Sequence, residues 1–326
     1  MTALSASDNT FIGVDVGGAS FEVARHRGGC AQYANRPDAI AAFVEDLRVG
    51  PAVARIVMEP TGGHEKPLVR ALRAAGFAVE LIHTSRFKAY RELMGVRAKS
   101  DTSDARLLAA YAAAPDEVRG RTAKHVVLPP DSGREQLAEL AARRDQIKQM
   151  IHAESCRLTT VRNPAIRHEI EGHLEALQAS ARNIQIAMRN LVRERNDLNH
   201  ARQLLRTIKS IGEISALTLL ALLPELGRID NKAAAALVGV APFVRKSGTL
   251  NAPARIRGGR APLRNVIYMA AVTAIRHNPV LKGFYQRLIA AGKPVKVAIV
   301  AVMRRLVVFA NAVLKSGQPW KGAVAT

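Results

Sequence analysis

The stretch "TFIGVDVGGASFEVARHRGGCAQYANR", residues 10–36, decides how the first third of the chain folds. Residues 10–17 are a short apolar run closing on Asp15 and a glycine pair, the signature of a strand entering a turn. "SFEVARHR" and "CAQYANR" read as two further strands, and "PDAIAAFVEDLR" (37–48) spaces its apolar residues as an amphipathic helix. Outward from there, "ARIVMEP" (54–60) is another apolar strand, ending in Glu59 and followed by the breaker run Pro60-Thr61-Gly62-Gly63. A helix over 64–75, a strand within "FAVELIH" (77–83) and a helix opening at Ser100–Asp101 complete the pattern.

Three β segments followed by alternating α and β describe an α/β, RNase H-like layout over residues 1–125. In that layout the first strand is central, its neighbour carries a second acid beside it, and a later helix crosses the strand ends. Asp15 and Glu59 each close a strand, and Asp101 and Asp104, three apart, share one helix face. Four carboxylates gathered this way repel one another unless cations fill the space. Hard oxygen ligands suit Mg²⁺ or Mn²⁺, and a pair of such ions flanks the entering and leaving oxygens of a phosphodiester. Lys99, just ahead of Asp101, is placed to steady a phosphate or a carboxylate. Taken singly, each acid has a simpler reading: Asp15 shapes a turn, Asp101 caps a helix, and Asp104 complements its dipole.

Residues 126–203 change character. Ile170, Leu174, Leu177, Ala181, Ile184, Met188, Leu191 and Leu198 follow steps of four and three, a coiled-coil seam with Arg195 interrupting. Leu137, Leu140, Ile147, Ile151 and Leu158 make a similar stripe, and Pro164 separates the two. The expectation is two long helices, an antiparallel hairpin or a dimerisation arm. Residues 204–326 read as mainly helical. Within them "LLRTIKSIGEISALTLLALL" resembles a helix-hairpin-helix, with Ser210 where that motif usually has its first glycine.

Charge narrows the partner. The net charge is +21, and residues 241–326 hold 15 Lys or Arg with no Asp or Glu. A folded surface of one sign attracts a polyanion, with nucleic acid foremost. No basic amphipathic anchor or lipidation signal points to a membrane, and Arg304 and Arg305 interrupt the apolar run at 295–313. Two cysteines without metal-ligand spacing, Cys30 and Cys156, and no signal-peptide pattern fit a reduced, cytoplasmic setting. The densest basic stretch, 243–264, carries Arg245, Lys246, Arg255, Arg257, Arg260 and Arg264 around Ser247-Gly248. Gly248 lets DNA approach the backbone closely. On residues alone, Ser247 reads as a hydroxyl donating to a phosphate.

Taken together, "GVDVGGASFEVA", "MEPTGG", "KSDTSDARLLA", "LLRTIKSIGEISA", "ALVGVAPFVRKSG", "LRNVIYMAAVTA" and "GKPVKVAIVAVMRRL" resemble the DEDD transposases of the insertion sequence 110 family over nearly the whole chain. The resemblance implies a RuvC-like domain with Asp15, Glu59, Asp101 and Asp104 as metal ligands, a coiled-coil linker, and a C-terminal transposase domain with Ser247 as nucleophile. It further implies donor and target DNA as substrates and a structured noncoding guide RNA. The active unit is implied to be an oligomer, a dimer or tetramer. The expected chemistry is attack of Ser247 on a DNA phosphate, giving a covalent phosphoserine. The alternatives are a hydrolytic nuclease in which Ser247 only binds phosphate, and a non-enzymatic scaffold. With 4% aromatic residues, broad base-stacking platforms are not expected, and an RNA would be held through its backbone.

Overall fold

A computed structural model describes residues 10–96, 101–119, 131–247 and 250–322, without the side chains of 101–103, 244–247 and 250–254. The chain divides into two compact units, residues 1–125 and 126–326.

In the first unit, β1 (Thr10–Val16), β2 (Ser20–Arg25) and β3 (Cys30–Ala34) form an antiparallel meander. Then come α1 (Pro37–Val49), β4 (Val53–Met58), α2 (Lys66–Ala74), β5 (Val79–Leu81), α3 (Thr84–Leu93), α4 (Asp101–Ala113) and the short α5 (Asp116–Arg119). The sheet order is β3-β2-β1-β4-β5, with β4 parallel to β1 and to β5. This is the expected mixed RNase H-like order, with β1 central. Alternation along the strands divides the core. Ile12, Val14, Val16, Ile56 and Met58 pack with Phe43, Leu47, Leu68 and Leu72 of α1 and α2. Val57, on the opposite face, packs with Phe87, Tyr90, Leu107, Leu108 and Tyr111 of α3 and α4. Helix α3 was not anticipated, because few apolar residues mark its buried stripe: only Phe87 and Tyr90 are buried on it.

The second unit opens with α6 (Ser132–Thr160) and α7 (Pro164–Arg193), an antiparallel hairpin. His173 Nδ1 stands 3.3 Å from Glu154 Oε1, and Arg167 donates to the Leu158 carbonyl at 3.5 Å, so the helices run past each other in opposite directions. Pro164 occupies the first turn of α7, and Asn163 Oδ1 caps it by accepting from the Ala165 amide at 2.9 Å. Ile170, Leu174, Leu177 and Met188 of the expected seam are buried; Leu198 belongs instead to α8 (Asn196–Arg206). The chain bends between them at Arg195, whose guanidinium forks to Asp131, the α6 N-cap, and to Asp197 in the first turn of α8.

The hairpin base shares one core with the helices that follow, through Leu137, Ala141, Met188 and Val192. These are α9 (Glu213–Leu222), α10 (Asn231–Val238), α11 (Ala261–His277), α12 (Pro279–Ala290) and α13 (Val295–Ser316). Helix α13 has the length and hydropathy of a membrane span, but half of its apolar window is buried inside the unit. Ala298, Val302, Leu306 and Ala310, none more than 0% exposed, are four apart along its core-facing side. The mainly helical expectation missed one element, the two-stranded ribbon of β6 (Pro242–Ser247) and β7 (Leu250–Ile256).

Candidate active site

The acidic site of the first unit follows from strand register. The β1–β2 turn closes with Gly17 N–H donating to the Ser20 carbonyl at 2.8 Å, which pairs Asp15 with Glu22 across the ladder. Glu22 in turn pairs with Gln32 of β3, and Val14 pairs with Met58 of β4, one residue before Glu59. Residues directly opposite in a ladder share a face, so a polar row runs Gln32, Glu22 and Asp15 across three strands towards Glu59, the residue after β4. All four line one cleft of about 410 Å³, together with Asp104.

Helix α4 reaches this row because β1 has no side chain at Gly13. A Cβ there would lie 2.2 Å from the Ala105 carbonyl oxygen and 2.2 Å from the Ala109 amide nitrogen. Ala24, Ala105 and Ala109 continue the close crossing with small side chains. The helix backbone therefore rests directly on the sheet, and Asp104 comes to the end of β1. Asp104 is 4% exposed; its Oδ2 is 2.6 Å from Arg91 Nη2 of α3, and its Oδ1 is buried with no hydrogen-bond partner. Behind Glu59, the turn at 60–63 is held by the buried Glu65, whose carboxylate accepts from the Thr61 amide at 3.0 Å and the Gly63 amide at 2.9 Å. Gly62 and Gly63 take φ of +69° and +109°, which glycine adopts without strain.

Of the four expected ligands, Asp15, Glu59 and Asp104 border this cleft. Asp101 opens α4 one turn before Asp104, its side chain outside the described set; Lys99 lies outside the described residues. Among the described residues no group of three His, Cys, Asp or Glu side chains is arranged to hold a metal ion. The described acids border a shared cleft. The unpartnered Oδ1 of Asp104 fits a hard cation or its water, which would supply the missing bond. Glu22, Gln32 and Arg91 went unrecognised in the sequence; for Glu22 the signal was present, since a tight turn between Asp15 and Glu22 fixes their pairing.

In the second unit, Ser247 is the last residue of β6 and pairs with Leu250, so it stands at one end of the ribbon; Gly248 lies outside the described residues. Arg245 and Lys246 precede it on the same strand; of these three residues only the backbone is described. The ribbon base is clamped. Helix α10 ends in a left-handed Gly239, and a Cβ on Gly259 would lie 2.3 Å from the Gly239 amide nitrogen. Arg260 donates to both carboxylate oxygens of Glu225, at 2.6 and 2.8 Å, and to the Leu222 carbonyl. Arg264 donates to the Gly258 carbonyl at 2.6 Å. Arg255 and Arg257 are exposed, Arg257 lying 5.8 Å from the Phe243 ring centre. The arginines thus divide into two that brace the ribbon and two that face solvent.

At the helix-hairpin-helix-like turn, Ser210 has φ of +98°, the conformation a glycine would hold without strain. Its Oγ is buried and unpartnered, beside a hollow of about 370 Å³ that Arg206 and Lys209 also line.

Two family models match the chain. Residues 12–161 match the DEDD transposase family model for IS110 elements, and residues 202–286 match the Transposase IS116/IS110/IS902 family. Pilin gene-inverting proteins of Moraxella bovis and Moraxella lacunata are each 23% identical over 322 residues, covering 95% of this chain and 97% of theirs.

Proposed function

The chain belongs to the IS110 family of transposases, enzymes that act on DNA, and we propose that it cuts and rejoins donor and target DNA under the guidance of a structured noncoding RNA. The observation that carries the reading is Asp104, buried on a helix that Gly13 admits onto the sheet, with Oδ1 unpartnered in a cleft shared with Asp15 and Glu59. DEDD transposase domains are metal-dependent as a rule, and this oxygen-only set is compatible with Mg²⁺ or Mn²⁺. Asp15, Glu59, Asp101 and Asp104 would hold the ion, with Lys99 beside them. Bound there, it would neutralise charge on the scissile phosphate.

Ser247 is the proposed nucleophile. Its Oγ attacks phosphorus, an Oγ–P bond replaces a P–O bond to deoxyribose, and the hydroxyl proton leaves with the departing oxygen. One ester is exchanged for another, so the bond energy needed for rejoining is conserved. No Asp, Glu or His lies between Ala241 and Arg276, so the ribbon carries no base of its own. The carboxylate cleft must be brought to it by folding or by a second subunit. Arg245, Lys246 and the exposed Arg255 and Arg257 supply charge for the five-coordinate phosphate; Arg260 and Arg264 hold the ribbon base to receive it.

The relatives' name supports rejoining over hydrolysis, since inverting a gene requires every cut end to be resealed. The hairpin of α6 and α7 is proposed as the coiled-coil linker and dimerisation arm, and a tetramer as the synaptic form. Exposed Met150, Ile166 and Ile186 along it support that role. The test is to copurify the full chain with RNA transcribed from the flanking noncoding DNA and assay recombination with and without it. Recombination that needs no RNA removes the guide from the proposal.

A further inference from the structure

We propose that Arg91 is a positioning residue for the carboxylate cleft: it takes one oxygen of Asp104 and thereby reserves the other for a divalent cation. The proposal rests on reading the cleft as a cation site. It begins with burial. The Asp104 side chain is 5% exposed, and a carboxylate so far out of water needs a paired charge. Arg91 supplies it from a different helix, with Nη2 at 2.6 Å from Oδ2. No described residue bonds Oδ1. Arg91 does not itself line the cleft, so it acts only through Asp104.

The guanidinium is held on two sides. Its carbon lies 4.9 Å from the Phe87 ring centre, a cation–π contact with a side chain 2% exposed. One residue away, the Tyr90 and Tyr111 rings meet edge to face at 5.1 Å, joining α3 to α4. The stack fixes where the planar fork points, and the fork fixes the carboxylate plane of Asp104. Nε of Arg91 is buried without a partner, so among the described residues the Phe87 ring and the Asp104 carboxylate are what orient the guanidinium. Without Arg91, Asp104 would be a buried carboxylate beside Asp15, Glu59 and Glu22 with no cation at its back, free to turn away from them.

The test uses the full-length chain and Mn²⁺ alone as probe. Binding is followed by calorimetry and by loss of the free Mn²⁺ resonance signal, and metal-free folding by circular dichroism. Arg91→Gln should weaken Mn²⁺ binding roughly 10–100-fold, the range for residues that orient a metal ligand from behind. Arg91→Lys, which keeps the charge but loses the planar fork, should fall between it and the wild type. In DNA cleavage the Mn²⁺ concentration for half-maximal rate should rise by the same factor, while the rate at saturating Mn²⁺ stays near that of the wild type. Asp104→Asn should lose the binding site itself. If Asp104→Asn loses Mn²⁺ but Arg91→Gln binds as the wild type does, the positioning role is overturned and the cation site stands. A saturating rate that collapses with unchanged half-saturation overturns it as well. If wild type binds no Mn²⁺, the cation reading fails and takes this proposal with it. Should Arg91→Gln not fold, Arg91→Lys decides, and wild-type affinity there overturns the role.

Discussion

Gly13 of the central strand and Ala105 of α4 touch backbone to backbone: a methyl group on Gly13 would stand 2.2 Å from the Ala105 carbonyl oxygen. Asp104 precedes Ala105, and Asp15 follows Gly13 by two. The contact that lets helix and strand meet is therefore the one that brings their carboxylates to one cleft.

Gly13→Ala should push α4 off the sheet. Overpacking of this kind costs about 1–3 kcal/mol in stability, and a displacement of about 1 Å at a catalytic group costs on the order of 100-fold in rate. Thermal unfolding and a DNA cleavage assay check both. Wild-type cleavage in a folded Gly13→Ala chain would separate the crossing from catalysis.

Asp15→Asn, Glu59→Gln and Asp104→Asn should each stop strand cleavage while DNA binding persists, because the phosphate contacts proposed for the basic surface are left untouched. Gel shift and cleavage on the same preparations separate the two. A variant that still cuts at the wild-type rate loses its place in the site.

The two kinds of arginine around the ribbon should behave differently. Arg255→Ala and Arg257→Ala, at exposed positions, should weaken DNA binding and reduce the salt dependence of log K by about 0.9 per lost contact on duplex. Arg260→Ala removes the bidentate fork on the Glu225 carboxylate and the donor to the Leu222 carbonyl, and should show itself first as a lower unfolding temperature. Equal effects of all three on the salt slope would contradict the division.

Acid should loosen the bend between α7 and α8. Burial works against a charged Asp131, but the Arg195 fork and the Arg134 amide outweigh it and hold the carboxyl below its ordinary value. The Arg195 hydrogen bond likewise lowers Asp197. A carboxyl depressed in the folded state adds stability above its unfolded pKa of about 3.9, and that stability is lost as pH falls through the folded value. Asp131→Asn keeps the cap acceptor but not the charge, so its unfolding temperature should fall less than wild type's between about pH 5 and pH 2. Parallel curves would remove this cluster from the acid response.

What could be read from the sequence depended on how local its cause was. Strand-ending acids, the Pro164 break and the Ile170–Leu174–Leu177 stripe are local patterns: Asp15 and Glu59 border one cleft, Pro164 opens α7, and the stripe is buried. Gly13 looked like any strand glycine, because the helix it admits is more than ninety residues away in sequence. Glu22 sat mid-strand as an ordinary alternating polar residue until register set it beside Asp15. The ribbon escaped notice because Pro242 and Pro253 break the strand pattern, although two residues, 248 and 249, separate alternating runs in the way a hairpin does. Arg260 reads in the sequence as one more phosphate-binding arginine, because Glu225, the carboxylate that engages it, lies 35 residues earlier. Arg91 gave no sign at all, since its partner and its ring stack meet only in the folded unit.

The account stands most directly on one gel. Incubate the full chain, RNA transcribed from the flanking noncoding DNA, Mg²⁺ and end-labelled DNA; denature; and look for label migrating with protein. The account predicts a covalent species in wild type, absent from Ser247→Ala and from Asp15→Asn, with RNA binding intact in both. An adduct that persists in Ser247→Ala, or cleavage by wild type that leaves only free DNA ends, would contradict it.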